Sequence, residues 1–191
     1  MNTPAHLIFG AAVFARPKAP VVSAAAVFGA LVPDLSLYIL VTWSLYVQGI
    51  PAQTVFDELY FSSAWQAIFA LDNSIPLWAC VLAPALLLHR PALTAFAGSG
   101  LLHLAFDLPL HNEDARRHFW PISDWVFRSP ISYWDPQRYG HVVGPIEMAV
   151  CVILSVLLWR RFQGRLARGL ILAGLTAELL PELMFRFMMH G

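Results

Sequence analysis

The chain has 191 residues, of which 58% are hydrophobic and only 13% charged, and its 12 basic and 12 acidic side chains cancel. A soluble domain carries about 25% charged residues, so the composition argues against an ordinary soluble globule and for a membrane-embedded chain whose main partner is the lipid bilayer. Zero net charge gives no basic surface for nucleic acid. The two cysteines, Cys80 and Cys151, lie in apolar helical patterns and make neither a disulfide framework nor a CxxC metal knuckle. The opening MNTPAHLIFG lacks the basic region of a signal peptide, no clear cleavage site follows, and this start is expected to be retained. The length suits one helical domain over 1–191.

In chain order, Thr3 reads as an N-cap with Pro4 at the first helical position, starting a helix that runs to about Ala15. Such a helix is shorter than the ~20 residues a span needs, so it is a half-membrane piece. Residues 20–47 are apolar and read as one span, kinked or broken at Pro33-Asp34. Residues 48–63 form a loop with a short amphipathic piece carrying Asp57 and Glu58, and 64–71 an interfacial helix ended by Asp72-Asn73-Ser74. Two further spans, 75–88 and 92–108, are joined by the turn His89-Arg90-Pro91. Residues 109–140 carry both charge signs, several prolines and Trp120, Trp125, Tyr133, Trp134 and Tyr139. Trp and Tyr gather at membrane interfaces, which makes this stretch a structured extracytoplasmic cap. Spans 142–159, with Glu147, and 169–189, with Glu178 and Glu182, complete the chain. The expected fold is all-α: an integral membrane helical bundle with about five spanning helices.

Ligand chemistry concentrates in GLLHLAFDLPLHNEDARRHFWPISD, residues 100–124. His103 and Asp107 are four apart and share one helical face. His111 continues that face if Pro109 permits, and His118 follows. Imidazole and carboxylate side by side are the usual ligands of zinc and similar divalent ions. A lone His or Asp in an apolar helix is more often a satisfied core residue; four such groups in 16 positions point to a metal centre.

The turns at 16–18, 89–91 and 160–168 hold Arg16, Lys18, Arg90, Arg160, Arg161, Arg165 and Arg168 and no acid. Alternating spans put all three turns on one side, and the positive-inside rule makes that side cytoplasmic. Counted from these turns at 1.5 Å per residue, His6, Asp34, His103, Asp107, Glu147 and Glu178 fall at roughly 15–26 Å, in the middle to outer bilayer. Ionisable groups at such depth are costly and mark function. The localisation that follows is the cell (inner) membrane, with the site toward the extracytoplasmic face.

HLIFG near the start, GALVPDLS at 29–36 and HLAFD at 103–107 resemble the motifs of the YdjM-type membrane proteins, described as membrane-bound metal-dependent hydrolases. The resemblance implies ligand roles for His6, Asp34, His103 and Asp107. That family is distantly similar to zinc-dependent phospholipases C, all-helical enzymes with a cluster of metals in which the mature N-terminus is a ligand and a His-x-x-x-Glu element follows. This chain departs on both points, with a Met-Asn-Thr start and with His141 and Glu147 six apart. A mono- or dinuclear site is what carries over.

His6, Asp34, His103, Asp107 and His111 are therefore the expected metal ligands, with Asp107 also central to catalysis. His118, Asp124, His141 and Glu147 complete a second metal, act as general acid or base, or orient ligands. Arg116 or Arg117 can hold an anionic headgroup, since guanidinium matches phosphate oxygens; a solvated interfacial face is the equal alternative. Gly98-Ser99-Gly100 lacks the frame of a nucleophilic serine. Glu178 and Glu182 are structural hydrogen-bonders or part of a polar path. The function expected is hydrolysis of a phosphate ester of a lipid-like substrate at the outer leaflet, with zinc as the divalent cofactor. Its rivals are an ion or small-molecule transporter, against which the missing inverted repeat counts, and a non-catalytic membrane scaffold.

Overall fold

A computed structural model describes the backbone of residues 1–190 and the side chains of 1–180. It is all-helical, with no strand among the described residues. The elements are α1 (Thr3–Phe14), α2 (Pro20–Thr42) with a π turn at Trp43–Val47, the short α3 (Ala52–Thr54) with a π turn at Val55–Leu59, α4 (Ser63–Asp72), α5 (Ile75–Leu87), α6 (Pro91–Leu110), α7 (Gly140–Arg161) and α8 (Arg165–His190). Among the described residues, four stretches are long and apolar enough to cross a membrane: Pro20–Val47, Ser63–Leu87, Pro91–Leu110 and Gly140–Arg161. The expected fifth span at 169–189 falls within α8, and Glu182 lies outside the residues whose side chains are described.

Three local expectations change. Thr3 is the first helical residue and caps nothing; its hydroxyl donates to Asp34 across to α2 and accepts from Tyr38 Oη at 2.9 Å. Of the two expectations at Pro33-Asp34, a kink or a break, the break does not occur: α2 is helical from residue 20 to 42. Proline costs a helix about 3 kcal/mol in water. In a span, however, an interrupted helix would leave several backbone groups unpaired in lipid, which costs more. Pro33 is fully buried, and Asn73 Nδ2 donates to its carbonyl at 3.0 Å. Finally, α5 has only 13 residues, about 20 Å of helix, and cannot span alone. It joins α4 in one broken candidate span, Ser63–Leu87. Between them Asn73 ends α4, and the Ser74 hydroxyl caps α5 by accepting from Leu77 N at 3.1 Å.

The first helix is the centre of the bundle, packed against α2, α6, α7 and α8. Small residues let the helices approach, as they do where lipid offers no hydrophobic drive for packing. A Cβ on Gly29 would stand 2.0 Å from the Phe96 carbonyl oxygen, so α2 lies backbone to backbone on α6. The basic turns meet at one end. Arg16 and His89 border a common cleft of ≈ 370 Å³. Arg161 donates to the Ala12 and Ala15 carbonyls at 2.6 and 3.1 Å, satisfying the end of α1. At the opposite end α6 runs through Pro109 to Leu110. The Pro109 and Leu110 carbonyls are taken by the Ser129 hydroxyl at 2.6 Å and Tyr133 N at 3.1 Å, which folds the irregular segment 111–139 back over the helix end.

Candidate metal centre

His103 and Asp107 share a face of α6, and the close approach of α2 fixes the first of them. His103 Nδ1 lies 2.8 Å from the Ala30 carbonyl oxygen. A carbonyl only accepts, so Nδ1 carries the hydrogen and the neutral ring presents a lone pair at Nε2. That atom is buried and has no hydrogen-bond partner among the described residues. Its neighbours are carboxylate oxygens, Asp107 Oδ2 at 2.9 Å, off the direction of a hydrogen bond, and Asp34 Oδ1 at 3.6 Å. A lone pair facing two carboxylates is repulsive until a cation, a proton or a metal ion, stands between them.

His6 reaches the same point from α1. Its ring stacks on that of His103 with centroids 3.4 Å apart and planes 6° apart, and its Nε2 is 2.9 Å from Asp107 Oδ1. Nδ1 of His6 is buried and unpartnered among the described residues. His6, His103 and Asp107 each offer a ligand atom within 4.8 Å of the others, and all three are buried. The donor set, two imidazoles and a carboxylate with two orphaned ring nitrogens, suits a borderline divalent ion such as zinc. Asp34 stands at the edge, with about 20% of its side chain exposed, held by Thr3.

His111 joins through its neighbours. Its Nε2 is 3.1 Å from Asp107 Oδ1, and its Nδ1 is 2.8 Å from Asp114 Oδ2. Burial, the largest single effect, opposes its charged form, but the charge and hydrogen bond of Asp107 and the hydrogen bond of Asp114 together outweigh it and hold the ring above its ordinary value. Asp114 also takes Trp134 Nε1 at 3.2 Å. Burial would raise its carboxyl, yet the His111 hydrogen bond and charge hold it below the usual range. The backbone nitrogen of Met1 donates to Asp107 Oδ1 at 2.9 Å and lies 3.3 Å from His111 Nε2.

The other expected residues are elsewhere. His118 is buried with Nδ1 3.1 Å from the Asn73 carbonyl, at the break between α4 and α5. Asp124 is 77% exposed and pairs with Arg117 at 3.2 Å, and His141 is exposed against the Pro136 carbonyl. Glu147 is buried and accepts from Asn2 N at 2.8 Å, adjoining the cluster through the start of α1. Glu178 is buried with neither oxygen partnered among the described residues. Sequence reasoning missed Asp114, which is three residues from His111, and the Thr3–Tyr38 pair. The i,i+3 spacing could have pointed to the first; nothing local pointed to the second. Comparison with known proteins returned no matching family model, no matching curated protein and no matching solved structure.

Proposed function

We propose that this chain is a membrane-bound metal-dependent hydrolase of a phosphate ester, lipid or lipid-like, as its resemblance to the YdjM-type proteins implied. It is held in the cell (inner) membrane with its basic turns cytoplasmic, and 111–139 forms the extracytoplasmic cap over the site. One observation carries the reading: the buried, unpartnered Nε2 of His103, with its ring fixed by the Ala30 carbonyl, faces Asp107 and Asp34. A carbonyl accepting from the far ring nitrogen is how metal-binding histidines are usually oriented.

In this reading His6, His103 and Asp107 hold the ion, with Asp34 and His111 completing its surroundings. A zinc ion bound by these residues would supply a Lewis acid for a phosphoryl oxygen and a water acidified toward neutral pH. The protein's own part is placement. Thr3, braced by Tyr38, aims Asp34; Asp114 sets the His111 ring; Asp107 concentrates negative charge where the four nitrogens of Met1, His6, His103 and His111 converge.

The scaffold reading has an observation of its own, since the Met1 nitrogen and His6 already satisfy Asp107 Oδ1. Substitution of Asp107→Asn separates the two. As a hydrolase, the variant keeps its melting temperature to within a few degrees and loses turnover of bis-p-nitrophenyl phosphate in added zinc. A variant that is inactive only because it no longer folds would leave the scaffold reading ahead.

A further inference from the structure

Two arginines stand side by side in the segment over the cluster, and their surroundings differ. Arg117 is engaged: Nη1 donates to Asp124 Oδ1 at 3.2 Å and Nη2 to the Gln66 carbonyl at 2.8 Å. Arg116 lies over two rings, with its Cζ 4.1 Å from the Phe69 centroid and 4.8 Å from that of Tyr60. Its Nη1 is buried and has no acceptor among the described residues. The rings fix the plane of the guanidinium and supply cation–π attraction. The ring faces give Nη1 no acceptor, so one N–H group of a strong charged donor is held ready and unused, and leaving it so is costly.

The position ties this donor to the metal centre. Tyr60 lies under Arg116: burial pushes its phenol above the ordinary value, Arg116 acts against that rise, and the charges of Asp114 and, least, Asp34 add to it. Asp34 is 3.6 Å from His103 Nε2, and Asp114 holds His111. A cleft of ≈ 270 Å³ opens beside this group; Tyr60, Gln66, Asp114, Arg117 and Arg128 line it, while Arg116 is not in its wall. We propose that Arg116 is the anion-binding side chain of this site and receives a phosphoryl oxygen, while Arg117 is a strut that pins the cap to α4. The identity of the reaction rests on the hydrolase reading; the anion preference rests on Arg116 alone. A planar guanidinium fork matches phosphoryl oxygens, whereas a neutral carboxylic ester would give the buried Nη1 only a weak, uncharged acceptor. The substrate class is therefore an anionic phosphoester.

The test uses the full chain in detergent after chelation, so that no metal contributes. Thermal melting is followed in inorganic phosphate and, separately, in micelles doped with phosphatidic acid or with phosphatidylcholine. Wild type and Arg117→Gln should be stabilised by phosphate or phosphatidic acid in a dose-dependent way. Arg116→Gln should need about tenfold more ligand or lose the response, the scale of a lost charge-assisted bond. A response to phosphatidic acid without one to phosphate assigns a lipid headgroup, and a response to phosphate assigns the free phosphoryl group. If Arg116→Gln does not fold, Arg116→Lys keeps the charge without the fork and should weaken phosphate binding in a folded protein. No response in wild type to either ligand, or equal responses in wild type and the Arg116 variant that folds, would overturn the proposal. Absence of turnover in the zinc-loaded protein would count against the hydrolase and leave the Arg116 result standing.

Discussion

Substituting Gly29→Ala should loosen metal binding without touching a ligand. The added methyl would stand 2.0 Å from the Phe96 carbonyl oxygen, 2.7 Å from its carbon and 2.8 Å from its Cα, all rigid backbone. Ordinary contact begins near 3.4 Å, so α2 and α6 must part by roughly 1.4 Å, the difference from the shortest of these. The next residue, Ala30, holds His103 Nδ1 at 2.8 Å. The same displacement takes that bond beyond hydrogen-bond range, and Asp34 moves away from Nε2 on the same helix. Overpacking costs about 1–3 kcal/mol, partly offset by alanine's better helix propensity of about 1 kcal/mol. With about 0–2 kcal/mol left, the melting temperature should fall by at most roughly 8 °C on the usual scale for a chain of this size. Zinc affinity, measured by competition with a chelating dye, should fall by about 10–100-fold, the usual effect of losing an orienting partner. The control is Gly169→Ala, where no atom lies within 4 Å of the new Cβ; it should be neutral or stabilising with affinity unchanged. A Gly29→Ala protein as stable and as tight for zinc as the wild type would refute the argument that helix contact positions His103.

Two other predictions concern the cap and the topology. Burial holds the His118 ring below its ordinary value of 6.5, against the smaller upward pull of the Asn73 carbonyl. A depressed histidine stabilises the fold above the unfolded value and loses that contribution as pH falls below 6.5 toward the folded one. Melting temperature should therefore drop on acidification from pH 7 to 5, and the slope should be shallower in His118→Gln; equal slopes would remove the assignment. With the basic turns cytoplasmic, a cysteine replacing Gln163 should be labelled from the cytoplasmic side and one replacing Ala115 from outside, and the reverse pattern would overturn the orientation.

The meeting of His6, Asp34, His103 and Asp107 was legible in the chain because depth is. Each lies a similar number of residues from a basic turn, and those turns share one end of the bundle. His111 was legible once the helix was allowed through Pro109. What failed was local punctuation read without its tertiary partners. Thr3 beside Pro4 has the signature of a cap, yet Asp34 and Tyr38 from another helix take its hydroxyl. Asp72-Asn73-Ser74 does mark a break, but one inside a single candidate span rather than between an interfacial helix and a span. Asp124 and His141 were misplaced because 111–139 has almost no helical period to fix a face. Which of Arg116 and Arg117 is free depends on Phe69 and Gln66, some fifty residues away in sequence, and no spacing rule reports such a contact.

The most direct test of the metal centre is the metal content of the purified protein, measured by plasma mass spectrometry in detergent before and after chelation and zinc reloading. The account predicts at least one zinc per chain after reloading, released by chelation, and less than a tenth of that in a folded His103→Ala protein. A wild-type chain that takes up no zinc, or a His103→Ala chain that takes up as much as wild type, would contradict it.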